Sequence, residues 1–225
     1  MNDRVVVITG ATGKLGRVVS ARFAGAGARL ALLARSEEEV AALASDLPGG
    51  GERHVGFEVD LSDPASAVAA AAAVGERLGP ASVLLHLVGG YAGGTPFVDT
   101  PEEQWRGQIE LNLLSTVHAI RAFLPAIAAA EHGRVIAIST PVAGTPTPGH
   151  AAYAASKAAV EALIMSVGRD LAGTTATANV LLVRAIGDEK PNQTRPKELA
   201  AAMAWLASPE AGATNGQCIP VFGRA

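Results

Sequence analysis

Residues 5–16 read VVVITGATGKLG: an apolar β-branched run, glycines at positions 10, 13 and 16, then residues of helical character. A short continuous apolar run is what a strand needs when both of its faces are covered. The glycines permit a tight turn, close approach of backbone to a phosphate, and close packing of the next helix on the strand. That helix begins with N–H groups that have no intrahelical acceptor, and its dipole favours an anion there. Gly10, Gly13 and Gly16, with Thr12, Lys14 and Leu15 in the same turn, are therefore candidates to bind a dinucleotide.

The rest of the chain repeats this alternation. Strands are expected at residues 4–9, 29–34, 53–59, 82–88, 134–139, 177–183 and 217–221. Helices are expected at 14–26, 36–47, 64–78, 101–130 (broken near Gln108), 153–171 and 196–207. Strand–helix alternation implies right-handed crossovers and a parallel, doubly wound α/β sheet of Rossmann type, with about seven strands flanked by helices. The 225 residues are 49% hydrophobic and 17% charged, which suits one globular domain over 1–225.

Other classes are disfavoured. The net charge is −3 and no basic stripe is present, so neither nucleic acid nor an anionic membrane is an expected partner. No run approaches ~18 apolar residues, so no membrane span is expected. The run at Val5 leads straight into the glycine turn, unlike a secretory leader. Cys218 is the single cysteine, expected as a small core residue, and cannot form an internal disulfide. Placement in the cytoplasm is the expectation, and no metal site is expected.

The second strand ends LALLARSEEE. An acid at such a strand end takes the ribose 2′-hydroxyl of NAD, whereas an arginine accommodates the 2′-phosphate of NADP. Ala34 stands at the acid position and Arg35 follows, with Lys14 as a second positive charge, so NADP(H) is favoured over NAD(H). Asp60, in VDLSD, is placed to accept from the adenine amino group, with Leu61 beside it. Gly89 follows the fourth strand and is a further cofactor candidate.

Tyr153 is one of two tyrosines, and Lys157 follows four residues later in HAAYAASKAAV. The two share a helix face. A free phenol titrates near ~10, and a buried ammonium beside it would favour phenolate and lower that value. The pair then reads as an acid and base rather than as an ordinary surface-helix pair.

With LHLVGG, WRGQIELN, GRVIAIST, YAASK and NGQCIPVFG added, nearly the whole chain resembles the short-chain dehydrogenase/reductase family. The resemblance implies a reductase or dehydrogenase that moves hydride between a nicotinamide and a small carbonyl or alcohol. It makes Tyr153 and Lys157 catalytic and gives Lys157 the nicotinamide ribose to hold. The partner hydroxyl, 13 positions before the tyrosine, is Thr140, with Ser139 adjacent. Asn112 in the long middle helix would anchor a water. A homo-oligomer, dimer or tetramer, built on helices 108–130 and 153–171 is also implied.

Three features depart from the family. The glycines are spaced three and three, a pattern commoner in a longer sugar-nucleotide branch. HLVG, residues 86–89, stands for the usual NNAG, with His86 read as a satisfied core histidine. The PG after the sixth strand is missing and the lid that follows is short, which suggests a more open pocket. GGYAGG is similar to a stretch of dihydropteridine reductases, so Tyr91 could stack on a flat ring substrate such as a pterin, and His150 could border it. A sensor or scaffold that kept the fold and lost turnover, and a sugar-nucleotide epimerase, stand as alternatives.

Overall fold

The computed structural model describes residues 1–223. Among the described residues, seven strands form one parallel sheet in the order β3-β2-β1-β4-β5-β6-β7. They are β1 Val5–Thr9, β2 Arg29–Ala34, β3 His54–Glu58, β4 Val83–His86, β5 Arg134–Ser139, β6 Thr177–Leu182 and β7 Cys218–Pro220. The helices are α1 Lys14–Gly25, α2 Glu37–Asp46, α3 Gly50–Arg53, α4 Pro64–Leu78, α5 Glu102–Gln108, α6 Ser115–Ala129, α7 Ala151–Asp170 and α8 Pro196–Leu206. The one-turn α3 was not anticipated, and most strands end a residue or two inside their expected limits.

Side chains alternate across the sheet, so each strand feeds two cores. Val5 and Val7 join the core under α4, α6 and α7. Val6 and Ile8 join the core under α1, α2 and α8. This is why β1 is apolar at every position. Local signals start the helices: Ser36 Oγ accepts from the Glu39 N–H at 3.3 Å, and Asp63 accepts from Ala65 at 2.9 Å ahead of Pro64.

The long middle helix does not break at Gln108. Instead, a π-helical turn, Ile109–Leu114, joins α5 to α6. The combined helix, Glu102–Ala129, is long and apolar enough by composition alone to cross a membrane. Here its Ala119, Ile120, Phe123 and Ile127 are buried in a sheet core. The short loop after β6 closes on itself. Ile186 bridges Thr194, and Gln193 Oε1 accepts from the Glu189 and Lys190 N–H groups, each at 2.9 Å.

Candidate active site

β1 lies between β2 and β4, so the chain crosses to opposite sides of the sheet on leaving them, and a crevice opens at the strands' carboxyl ends. A cavity of about 580 Å³ occupies it. Gly10, Thr12, Gly13, Arg35, Asp60, Leu61 and Gly89 all line this cavity. Glu110, Leu111 and Ser115 line it from the middle helix. The sequence reading missed these three, because their register depends on the π-helical turn.

Lys14, Leu15 and Gly16 are not in the wall. Leu15 packs into a sheet core. Gly16 lies beneath the turn, where an added Cβ would strike the carbonyls of Gly10 and Ala11. Lys14 forms an ion pair with Asp188 of the loop after β6, at 3.8 Å, with both side chains largely exposed. That exposed pair joins the start of α1 to the loop after β6.

These residues fit a dinucleotide. Gly10 has φ +64, a conformation that favours glycine. No side chain caps α1, and no acid stands in its first turn, so its leading N–H groups remain for an outside acceptor. Arg35 puts a cation at the end of β2. The Asp60 carboxylate accepts from the Ser62 N–H at 2.9 Å and the Ser62 hydroxyl at 2.7 Å. Those bonds, and then the Arg35 charge, hold it below the usual carboxylate range.

The second half of the site sits where β4, β5 and the start of α7 meet. The Thr140 hydroxyl stands near the Tyr153 phenol and lowers its pKa, and it accepts from the Val142 N–H at 3.4 Å. Ser139, one residue earlier on the strand, points elsewhere and donates to Glu161 Oε1 at 2.6 Å. Lys157 is buried, and its ammonium donates to the Ile138 carbonyl at 3.0 Å. Gly89 has no room for a side chain: a Cβ there would lie 2.9 Å from both Asn112 Oδ1 and Lys157 Nζ.

The expected depression of the tyrosine is absent. Burial pushes the Tyr153 phenol up, the Thr140 hydroxyl pulls it down, and Tyr91 adds a further rise. The Lys157 ammonium is directed at the Ile138 carbonyl of β5. Lys157 itself is pushed down from 10.5 to about 8, mainly by burial, with the Glu161 charge acting in the opposite direction.

Asn112 is fully buried in the π-helical turn. Its side chain brackets Gly90, accepting from the Gly90 N–H and donating to the Gly90 carbonyl, both at 3.0 Å. It also donates to Ser156 Oγ at 3.1 Å, and Ser156 donates to the Tyr153 carbonyl at 2.8 Å. Gln108, one turn earlier, accepts from the Ala92 N–H at 3.4 Å. Tyr91 is thereby held between two fixed neighbours, with its ring edge-to-face on Tyr153 at 5.1 Å. Sequence reasoning missed Gln108 and Ser156; the spacing of Gln108 from Asn112, one helical turn, was a readable signal.

His150 lies beside Tyr91. Its Nδ1 is 2.9 Å from the Pro148 carbonyl, which can only accept, so in the neutral ring Nδ1 carries the hydrogen. Nε2 then accepts from the Tyr91 hydroxyl at 3.1 Å. His86 is a half-satisfied core residue. Thr9 Oγ1 accepts from the Leu87 and Val88 N–H groups, leaving its own proton for His86 Nδ1 at 3.1 Å. His86 Nε2 is buried without a partner among the described residues. Burial, and then the Lys157 charge, push this imidazole down to about 3, so it is neutral.

Comparison with known proteins supplies the identity. A family model described as short chain dehydrogenase matches residues 4–191. The chain belongs to the short-chain dehydrogenase family. This short-chain dehydrogenase is 34% identical over 176 residues to a short chain dehydrogenase of Pseudocercospora fijiensis; the match covers 77% of this chain and 57% of that relative. It is 27% identical over 241 residues to the 3-oxoacyl (acyl-carrier-protein) reductase FabG of Vibrio cholerae, covering 99% and 97% of the two chains. A blue fluorescent protein from a metagenomic library, solved in complex with NADPH, superposes with a TM-score of 0.89 at 25% identity, covering 99% of this chain and 98% of that one. Family membership makes the chain an oxidoreductase of the kind that binds a nicotinamide dinucleotide.

Proposed function

We propose that the chain is an NADP(H)-dependent reductase that interconverts a carbonyl and an alcohol, with Tyr153 as acid and base. The observation that carries the reading is the corner where Gly89, Asn112 and Lys157 converge, one helical turn from the Tyr153 phenol that the Thr140 hydroxyl acts on. The substrate is a small molecule, and the cytoplasm is the proposed place of work.

When bound, the nicotinamide supplies the hydride in reduction and accepts it in oxidation. Gly10, Gly13 and the start of α1 would hold the pyrophosphate. Arg35 would take the 2′-phosphate, and Asp60 the adenine amino group. The raised Tyr153 phenol keeps its proton at neutral pH and donates it to the carbonyl oxygen. The Thr140 hydroxyl donates to the same oxygen, where charge develops. The Lys157 ammonium has three donors and uses one on Ile138, leaving the others for the nicotinamide ribose. The expected water on Asn112 would use the second lone pair of Oδ1. Tyr91 and His150 form a wall beside the phenol, and a flat conjugated carbonyl is the substrate shape that wall suits.

The test is NADPH and NADH oxidation against a panel of carbonyl compounds. Wild type is expected to consume NADPH, and Tyr153→Phe to lose about 10²–10⁴-fold in turnover with NADPH affinity retained. A clear NADH preference would overturn the assignment of Arg35. NADPH binding with no turnover across the panel would favour a dinucleotide sensor instead.

A further inference from the structure

Glu161 stands one turn beyond Lys157 and two beyond Tyr153 on α7, and the reaction as described gives it no task. Its carboxylate is half-buried against the end of the sheet. Oε1 accepts from the Ser139 hydroxyl at 2.6 Å, and Oε2 lies 3.9 Å from the Cys218 thiol at the start of β7. Neither Glu161 nor Lys157 takes part in a salt bridge among the described residues. Both are tied to consecutive residues of β5: Lys157 to the Ile138 carbonyl, Glu161 to the Ser139 hydroxyl. The strand end therefore fixes an anion and a cation near one another without letting them touch.

The groups around Lys157 leave Glu161 as its counter-charge. β4 offers His86, which is neutral. The β4 loop and the π-helical turn offer Gly89 and Asn112, both uncharged. Glu110 of that turn is exposed in the dinucleotide cavity. β5 offers a carbonyl, β6 reads TANVLL and has no ionisable group, and Tyr153 is a protonated phenol. A buried ammonium without an opposing charge loses its proton, because burial disfavours the charged form.

We propose that Glu161 is a positioning residue for Lys157: held on Ser139, its carboxylate is the fixed negative charge that keeps the neighbouring buried ammonium protonated and available at the Gly89 corner of the cleft. This rests on the reading of Lys157 given above for the reaction. Burial already brings Lys157 down to about 8, so loss of the opposing charge carries its titration toward neutral pH. At that point both the ribose contact and the positive field at the site fade within the working range.

The experiment is an NMR titration of the lysine side chains in cofactor-free protein, with Lys157 assigned by Lys157→Met. Glu161→Gln keeps the shape and the acceptor for Ser139 but removes the charge. It is expected to lower the Lys157 midpoint by about one unit, a tenfold change in proton affinity. Glu161→Asp is expected to restore most of the shift, and Ser139→Ala, which frees the carboxylate without discharging it, to give a smaller drop. NADPH affinity in Glu161→Gln should begin to weaken at correspondingly lower pH. An unmoved midpoint in Glu161→Gln, in protein with a wild-type circular dichroism spectrum, overturns the proposal even if Tyr153 proves catalytic. Retained turnover in Tyr153→Phe would instead overturn the reaction assignment and leave the titration result standing.

Discussion

Lys157 shows how one residue can serve a site and weaken the fold that holds it. Its folded-state value, about 8, lies below the ordinary lysine value of 10.5, so the unfolded chain binds its proton more tightly. The cost is therefore fully present below about pH 8 and is relieved as pH rises from there toward 10.5. At one unit per ~1.4 kcal/mol, the cost is on the order of 3 kcal/mol. Lys157→Met, which fills the space without a charge, is expected to be more stable at pH 7 by about 1–3 kcal/mol, with the gain shrinking toward pH 10. Urea unfolding at the two pH values checks this. The same variant should be inactive, since the ammonium is what the site uses. His86 carries a comparable burden, an imidazole nitrogen buried without a partner among the described residues, where the family usually has an asparagine.

The middle helix organises the site through its one irregular turn. The π-helical geometry of Ile109–Leu114 turns Asn112 toward the loop after β4, and Gln108 lies one turn before it. Together they hold Gly90 and Ala92, and so fix Tyr91 against Tyr153. The far end of the same loop is tied down where the Gly94 N–H donates to the Gly149 carbonyl at 2.8 Å. Gln108→Leu removes the acceptor of the part-buried Ala92 N–H and is expected to destabilise by about 0.5–1.5 kcal/mol. The more specific outcome is local: the Ala92 amide should exchange its hydrogen faster, and KM for the carbonyl should rise more than kcat falls. Unchanged exchange at Ala92 would sink this account. The helix was legible in the sequence as a long apolar segment with trouble near Gln108. That the trouble is an inserted residue per turn, rather than a break, depends on what Asn112 finds to bond.

At the scale of the molecule, the sheet order gathers residues far apart in the chain. Gly10, Arg35, Asp60 and Gly89 come to one edge because β1 sits between β2 and β4 and every crossover returns to the same end. The closed loop after β6 replaces a longer lid and reaches the glycine turn through the Lys14–Asp188 pair, an exposed contact worth little in stability. Large apolar side chains outside the cavity remain exposed on the middle helix and α7: Leu114 at 40% and Met165 at 38%. Side chains of this kind on two neighbouring long helices suit a helix-to-helix contact between copies of the chain. We expect a dimer or tetramer that buries them, with light scattering as the check; a monomer at every concentration tested would refute it.

What the sequence determined by itself is what short-range rules control. Alternating apolar runs and helical segments set the sheet, three glycines set the turn, and a spacing of four put Tyr153 and Lys157 on one helix face. Tertiary structure decided the matters that depend on desolvation and on partners distant in the chain. It turned Thr140 to the phenol and gave Ser139 to Glu161. It directed Lys157 to the strand and raised the tyrosine instead of lowering it. It set Lys14 beside Asp188. Periodicity and spacing are properties of neighbours along the chain, whereas the protonation and aim of a buried group depend on which distant dipoles and charges the fold packs around it.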